Sequence, residues 1–278
     1  MAYLIEEFSL MLSFTFMQRA IFVGIMVSLC ASLLGVSLVL KRYAMIGTSL
    51  SHVGFAAMVS ATALGVAPLA VSLPVVIIAA FLILRVNESS KIKGDSAVAL
   101  VSASSFAIGV LIVSQTTGLS THVCSAMFGS ILAMTRADLY FSVGLSAVVL
   151  VLFVFFYRQL FAVTYDEIFA RATGTQVELY KSLLAILTAV TVVLGMRMMG
   201  ALLISSLVIL PPLTAMRLCK RFLSVVIVSA AVGVVSFFIG IFISFMIDLP
   251  PGASVTAVNL VLFVAFCVIE VVLRRARK

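Results

Sequence analysis

A polar stretch from Gly47 to Gly54 begins an otherwise apolar segment and carries His52, one of the chain's two histidines. Residues four apart share one face of a helix, so Thr48 stacks with His52, and Ser51 lies beside it. An ionisable side chain is costly at membrane depth, and neutral imidazole suits zinc and other transition metals. The stretch therefore predicts a narrow polar path for a small cation, with His52, Thr48 and Ser51 on it. The alternative is a packing helix whose histidine bonds a backbone carbonyl.

The segment Thr164–Gly174 predicts a short helix over about residues 165–173. The hydroxyl of Thr164 and the carboxylate of Glu167 form the pattern of a capping box, and Glu167 lies four residues before Arg171, at a spacing that allows an ion pair. Gly174 is a plausible end of the helix. This helix is either a docking site for a cytoplasmic partner or a solvated connector.

Two prolines, Pro211 and Pro212, lie inside an apolar segment that follows Gly200. Prolines free carbonyl groups from the helical hydrogen-bond ladder, and an interrupted helix is tolerated at membrane depth where it lines a cavity or packs on protein. These three residues are candidates for a hinge or a lining of the path. A kinked structural helix is the competing interpretation.

The composition requires that most of the chain lies in lipid. Of its 278 residues, 64% are hydrophobic and 10% charged, and the mean hydropathy is +1.32.

A membrane-spanning helix needs about 20 apolar residues. This rule predicts nine spans near residues 20–40, 45–64, 68–85, 96–114, 139–157, 182–199, 201–217, 222–247 and 254–273. Since the segments on either side of Gly200 are almost continuous, eight spans is the alternative. We expect an all-α, polytopic integral membrane helix bundle in which residues 1–278 form a single transmembrane domain.

The positive charges predict the orientation. With the C-terminus in the cytoplasm, the inner loops hold all of the 18 Lys and Arg residues except Arg19, Arg136 and Arg197. Cytoplasmic loops of membrane proteins carry this excess, so the net charge of +8 indicates topology and not a nucleic-acid partner.

The predicted outer side holds a second set of candidate residues. His122 and Cys124 are two apart, a poor spacing for one helical face, so a metal site there is disfavoured. A candidate outer entrance to the path consists of His122, Asp138 and Asp248. The Met residues at 196, 198 and 199 are interpreted as apolar filler.

Several catalytic motifs are absent from the sequence. It contains no GxxxxGK[ST], HExxH or GxSxG pattern. If the chain is part of an active pump, we expect the energy of ATP to enter through another subunit.

Five stretches together carry a family resemblance. The chain resembles the membrane permease of the bacterial ABC importers for zinc, manganese or iron, a type II importer, from about Met17 to Glu270. The stretches that carry the resemblance are GTSLSHVGFAA (Gly47 to Ala57), FGSILAMTRAD (Phe128 to Asp138), TYDEIFARATG (Thr164 to Gly174), GMRMMGALLISSLVILPPLTA (Gly195 to Ala215) and DLPPGAS (Asp248 to Ser254).

The resemblance implies a multi-pass protein of the bacterial cytoplasmic membrane that forms a homodimer. It implies two cytoplasmic ATPase subunits, an extracytoplasmic metal-binding lipoprotein, no permanently bound cofactor, and a divalent metal ion that passes between the two permease copies. The residues it assigns to ATPase docking are Tyr165, Asp166, Glu167, Ala170 and Gly174.

One position departs from the family pattern. The family has an aspartate four residues before the histidine, and this chain has Thr48. We expect two His52 imidazoles, one per copy, to form a transient site helped by Thr48, Ser51 and water, which would favour zinc over manganese.

Two other classes remain as alternatives. An ion-coupled secondary carrier commonly has acidic groups in its spans, but Asp and Glu here lie in loops and at span ends apart from Glu270. An intramembrane enzyme needs a catalytic pair, and His52 with Ser49 and Ser51 lacks a partner carboxylate.

Overall fold

The computed structural model describes residues 11, 13–89, 94–115 and 136–276, which form helices and turns without β-strands. The helices are α1 (Thr15–Leu40), α2 (Ala44–Ala63), α3 (Pro68–Ser89), α4 (Gly94–Gln115), α5 (Arg136–Phe155), α6 (Tyr157–Tyr165), α7 (Glu167–Ala172), α8 (Val177–Met199), α9 (Ala201–Leu218), α10 (Phe222–Ile247) and α11 (Pro251–Ala276).

The predicted all-α membrane bundle is confirmed. Eight of the described helices are long and apolar enough to cross a bilayer by themselves. The region predicted as the span 139–157 is a bent pair, because Leu139–Phe155 and Tyr157–Tyr165 meet at an angle of 68°. If this pair is counted as one span, the described helices give the predicted nine spans.

The helices form an inner and an outer layer. In α1 and α8, 67% of the most apolar window is buried inside the protein, whereas in α4 and α11 only 11% is buried. Helix α2 lies between these extremes and packs against α4, α3, α9 and α8. Because α4 covers one flank of α2 and is itself exposed, the seam between α2 and α4 lies near the edge of the bundle.

Several turns meet at one end of the bundle, which we call the basic end. It comprises the turn between α1 and α2, helices α6 and α7, the start of α8, and the turn between α9 and α10. Lys41 Nζ lies 2.8 Å from Glu167 Oε1, and Lys181 Nζ lies 2.7 Å from Glu167 Oε2. The Phe222 ring lies 4.7 Å from that of Phe161, between centroids. Three of the predicted inner loops thus lie together.

Helix α1 crosses α9 at a point where the backbone of α9 has lost a hydrogen bond. Both prolines lie within the continuous helix α9 and are buried. Pro212 has no N–H to donate to the carbonyl of Val208, four residues earlier. A Cβ on Gly35 would overlap that carbonyl oxygen, so glycine allows the backbone of α1 to approach the freed acceptor closely. The prolines therefore pack in the interior against α1, and α9 is not interrupted there.

The interruption lies at Gly200 instead. This residue ends α8 and precedes α9 with φ 86° and ψ 161°, a conformation that only glycine adopts readily. The division between residues 182–199 and 201–217, which the sequence left open, is therefore real. A hinge at Gly200 stays a prediction.

The crossing of α1 and α9 can be tested with alanine. We expect Gly35→Ala to destabilise the protein by about 1–3 kcal/mol, because the added methyl group meets backbone and cannot be accommodated by a side-chain rotation. The measurement is the apparent Tm of the purified protein in detergent.

Gly144→Ala in α5 is the matched control, since a Cβ at Gly144 has no atom within 4 Å. Alanine has the higher helix propensity, so this variant should be stabilised by up to about 1 kcal/mol. Equal Tm values for the two variants would contradict the close approach at Gly35.

Candidate metal pathway and docking surface

One face of α2 is only partly covered by the rest of the chain. Thr48, His52, Ala56 and Ser60 are four residues apart and half-buried, while the residues immediately before and after each of them are buried. We call these four residues the His52 face. Thr48 and His52 are therefore placed on the same face, as the sequence predicted.

The His52 ring has a polar partner on the neighbouring helix. Its Nδ1 lies 2.7 Å from the hydroxyl oxygen of Ser102 in α4. When Nδ1 carries the proton and donates to this oxygen, Nε2 keeps a lone pair that can bind a metal ion. Metal-binding histidines commonly donate their second N–H in this way. The sequence interpretation missed Ser102, although the serines of α4 at positions 102, 104 and 105 were a visible signal.

An aromatic side chain forms an apolar wall beside the imidazole. The ring centroids of His52 and Phe106 are 5.0 Å apart, and that of Phe106 lies 5.7 Å from that of Phe55. Ser102 and Phe106 are four apart on α4, so one face of α4 supplies both neighbours. The imidazole is thus held against α4.

Ser51 lies in the interior. It is fully buried, and its hydroxyl donates to the carbonyl of Thr48 at 2.8 Å. Ser49 is also buried, and its hydroxyl donates to the carbonyl of Val98 in α4 at 3.3 Å. The structure therefore brings Thr48 and His52 together on a partly open face, and it directs the Ser51 hydroxyl to its own helix.

The opposite side of α2 packs against the inner helices. Gly47 contacts Val208 of α9, and Gly54, seven residues later, contacts the Met196 side chain of α8. Met196 and Met199 are buried core residues. The interpretation of these methionines as filler agrees with their burial.

Asp166 caps the short helix α7, so the prediction of a Thr164 cap was wrong. One carboxylate oxygen of Asp166 accepts hydrogen bonds from the backbone N–H groups of Ile168 and Phe169, at 3.0 Å each. Asp is an effective N-cap because it accepts from otherwise unpaired amides. Thr164 instead lies within α6, where its neighbours continue the helix to Tyr165.

The end of α7 follows the prediction. Gly174 has φ +82°, its N–H donates to the carbonyl of Arg171 at 3.1 Å, and the N–H of Thr175 donates to that of Ala170 at 3.0 Å. These two bonds are those of a Schellman motif, in which glycine takes the left-handed position. The helix runs over Glu167–Ala172, slightly shorter than the expected 165–173.

Glu167 forms ion pairs that the sequence did not predict. Its carboxylate bridges Lys41 and Lys181, while Arg171, the expected partner, lies 3.0 Å from Glu178. Burial alone would raise the pKa of Glu167, but the hydrogen bonds from Lys181 and Lys41 outweigh it, so the pKa lies below its usual value. The carboxylate stays ionised at neutral pH.

Three large side chains project from the segment of α6 and α7. The exposed fractions are 80% for Tyr165, 83% for Ile168 and 64% for Phe169, and we call these residues the docking surface. Ala170 faces the other way and packs with Val163 and Val177. Apolar side chains exposed on a capped helix are typical of an interaction site. Of the five predicted docking residues, Tyr165 belongs to this exposed surface, whereas Ile168 and Phe169 were not among them. ATPase docking stays a prediction.

The candidate outer entrance is only partly visible. His122 lies outside the described residues, as does the side chain of Asp138. Asp248 is exposed in the turn between α10 and α11, where it ends α10 with φ 53°. In the part of the chain that is described, no cluster of three or more His, Cys, Asp or Glu side chains could hold a metal ion.

The sequence has clear relatives. Residues 13–270 match the model of the ABC 3 transport family. The manganese transport system membrane protein MntC of Halalkalibacterium halodurans is 30% identical over 92% of this chain and 88% of its own length. A Haemophilus influenzae protein named as an iron transport system membrane protein is 32% identical over 91% of this chain and 93% of its own.

Solved structures share the fold. PsaBC from Streptococcus pneumoniae, solved in complex with Fab, superposes with a TM-score of 0.84 and 27% identity, and the match covers 94% of each chain. A metal-chelate type ABC transporter in an inward-facing conformation gives a TM-score of 0.73 at 15% identity, over 90% of this chain and 85% of its own. The second match concerns the fold alone.

The cap of α7 can be tested by substitution. Asp166→Ala should weaken the helix by about 1 kcal/mol, because two backbone N–H groups lose their acceptor. We expect amide hydrogen exchange in Glu167–Ala172 to accelerate by about fivefold, as measured by mass spectrometry. Asp166→Asn is the control, since asparagine caps equally well. Acceleration in both variants would indicate that the charge and not the cap matters.

Proposed function

Because this chain belongs to the ABC 3 transport family, we propose that it is the membrane permease subunit of an ATP-driven importer of divalent transition metal ions. The match over residues 13–270 is the observation that carries this proposal. The placement of His52 on an open helix face agrees with it. The metal ion is cargo, and no permanently bound cofactor is part of the proposal.

The basic end faces the cytoplasm in this proposal. It collects Lys41, Lys181 and Arg217, and the last turn of α11 adds Arg274 and Arg275. Lys and Arg concentrate on the cytoplasmic side of membrane proteins. The C-terminus is then cytoplasmic, and the turn with Asp248 lies outside, in a single transmembrane domain of the bacterial cytoplasmic membrane.

The path runs between two copies of the permease. The His52 face lies at the edge of the bundle, where a second copy can cover it. On the neighbouring α4, Ala99, Ala103 and Ala107 are exposed and four apart, and small residues at this spacing allow helices in lipid to approach closely. A homodimer through α2 and α4 would place two imidazoles on one path.

His52 is the proposed ligand, and Ser102 orients it. A metal ion in a protein commonly takes four or more ligands, so one imidazole cannot complete a site. Two His52 rings, the hydroxyls of Thr48 and water supply a loose, transient set of metal ligands. Weak binding is useful here, because an ion that is to be transported must also leave.

The remaining partners follow from the proposal. The docking surface of Tyr165, Ile168 and Phe169 is an apolar patch at the cytoplasmic end that fits an ATPase subunit, one per permease copy. ATP hydrolysis then occurs on that separate subunit. A metal-binding lipoprotein delivers the ion at the other end, near Asp248.

The identity of the metal rests on two opposed arguments. The relatives named above carry manganese or iron in their names. In this chain Thr48 provides a neutral hydroxyl and His52 an imidazole, a combination that favours zinc over manganese. Zinc is therefore our proposal, with manganese and iron as the alternatives to be compared in one uptake assay.

His52 is tested by metal uptake in cells that carry the complete transporter. His52→Ala should lower uptake at least about tenfold, because the path loses its imidazole, and Ser102→Ala should raise the apparent KM about tenfold by leaving the ring unoriented.

The matched control lies on the same face. Ser60→Ala removes a hydroxyl that donates only within its own helix, to the Ala56 carbonyl at 2.7 Å, and should leave uptake unchanged. If His52→Ala transports as well as wild type, the imidazole has no part in the path.

Thr48 is tested by restoring an acidic side chain. Thr48→Asp should increase manganese uptake relative to zinc by about tenfold, since a carboxylate near the path attracts oxygen-preferring manganese. Thr48→Asn has the same shape without the charge and serves as the control. The same metal preference in the Asp and Asn variants would rule out this explanation.

A further inference from the structure

The carboxylate of Glu167 joins three segments of the basic end. It accepts from Lys41, which lies at the end of α1, and from Lys181, in the second turn of α8, at 2.8 Å and 2.7 Å. Glu167 itself is the first residue of α7. We call this arrangement the Lys41–Glu167–Lys181 tie. It connects the helix that carries the docking surface to the turn that precedes α2.

The tie differs from an ordinary surface ion pair. The exposed fractions of the Lys41 and Lys181 side chains are 6% and 10%, whereas Arg171 and Glu178, which pair nearby, are each 67% exposed. Exposed pairs are screened by water and salt and contribute little. The Glu167 side chain is 37% exposed, but the two ammonium groups have little access to water, so this carboxylate stabilises them more than it would stabilise lysines at the surface.

The turn next to the tie is well defined. Arg42 adopts the left-handed conformation with φ 61°. Its N–H donates to the Val39 carbonyl at 3.0 Å, and the N–H of Tyr43 donates to the Leu38 carbonyl at 2.8 Å. These bonds leave the turn little freedom, so a displacement of Lys41 displaces the start of α2. His52 lies eight residues after Ala44, roughly 12 Å along the helix.

We propose that Glu167 is a positioning residue that transmits movement of α7 to α2 through the Lys41–Glu167–Lys181 tie. This inference rests on the proposed function, since it takes the docking surface as the site where ATPase subunits bind. Glu167 then directs its carboxylate oxygens to two lysines of the permease and couples the two sites without touching ATP or metal. Movement of the docking surface thereby alters the His52 face.

The test uses the complete transporter, with its ATPase subunits and binding protein, reconstituted in proteoliposomes. ATP hydrolysis and uptake of radioactive zinc and manganese are measured on the same vesicles. Glu167→Gln should retain ATP hydrolysis and subunit assembly, while metal uptake per ATP falls by about tenfold. Lys41→Gln should show the same loss, because it disconnects α2 and leaves the pair of Glu167 with Lys181.

Two controls separate transmission from destabilisation. Glu178→Gln makes the same chemical change at a carboxylate that lies 3.0 Å from Arg171 and 3.8 Å from Lys181. Its uptake per ATP should stay within about twofold of wild type, because Lys181 keeps the closer carboxylate of Glu167 at 2.7 Å. The double variant Lys41→Gln/Glu167→Gln also removes the Lys41 charge, which in Glu167→Gln no longer has this carboxylate beside it. Its uptake per ATP should remain as low as that of Glu167→Gln. Recovery of uptake per ATP in the double variant would show that the Lys41 charge caused the defect, and would overturn the proposal.

Hydrogen exchange gives a readout that does not depend on transport. A nonhydrolysable ATP analogue should change exchange in both α7 and the first turn of α2 in wild type, and only in α7 in Glu167→Gln. A change in both helices of the variant would overturn the proposal.

The outcomes for the two proposals are distinct. Suppose that wild type takes up metal with ATP. If Glu167→Gln then keeps its uptake per ATP, or loses hydrolysis and uptake in the same proportion, the role of the tie is overturned and the proposed function stands. Absence of ATP-dependent metal uptake by wild type would overturn the proposed function and, with it, this inference.

Discussion

The structure depends on one constraint, which is that a chain in lipid must satisfy its backbone hydrogen bonds within itself. Long helices meet that constraint, and the described spans depart from it at few points. The carbonyl of Val208, freed by Pro212, lies against the backbone of α1 at Gly35. Gly200 separates α8 from α9 in a backbone conformation that glycine adopts readily. The double proline is thus a packing feature, and the helix is interrupted at Gly200.

The same constraint distinguishes His52 from the hydroxyl side chains of the bundle. Thr188, Thr191 and Thr214 each donate to a carbonyl four residues earlier in their own helix, which satisfies the hydroxyl at little cost. The His52 ring has two nitrogens, and its Nδ1 bonds to Ser102 on the neighbouring helix α4 instead. Its second ring nitrogen remains available on the half-buried face. The imidazole of α2 is therefore positioned at the seam of α2 and α4.

In the tertiary structure, α2 carries the His52 face and is connected to the helix that carries the docking surface. One side packs on α8 and α9, another carries the His52 face, and its first turn follows Lys41 in the tie with Glu167. The docking surface and the His52 face lie on different helices, and the tie provides a continuous physical connection between them. Such a connection is the kind of network through which coupling between separated sites can act.

The sequence by itself determined the class, the spans and the family. Apolar length fixed the helices, since about 20 residues cross the bilayer whatever their neighbours are. It also indicated His52 and Thr48 on one face and Gly174 as the end of α7, because these depend on spacing within a few residues.

Only the tertiary structure decided the partners: Ser102 for His52, Lys41 and Lys181 for Glu167, and the burial of Ser51. These contacts join residues between 14 and 126 positions apart or depend on which face meets a neighbour. Local patterns specify helices, but they do not specify which helix lies beside which, and that arrangement determines which polar groups are free to act.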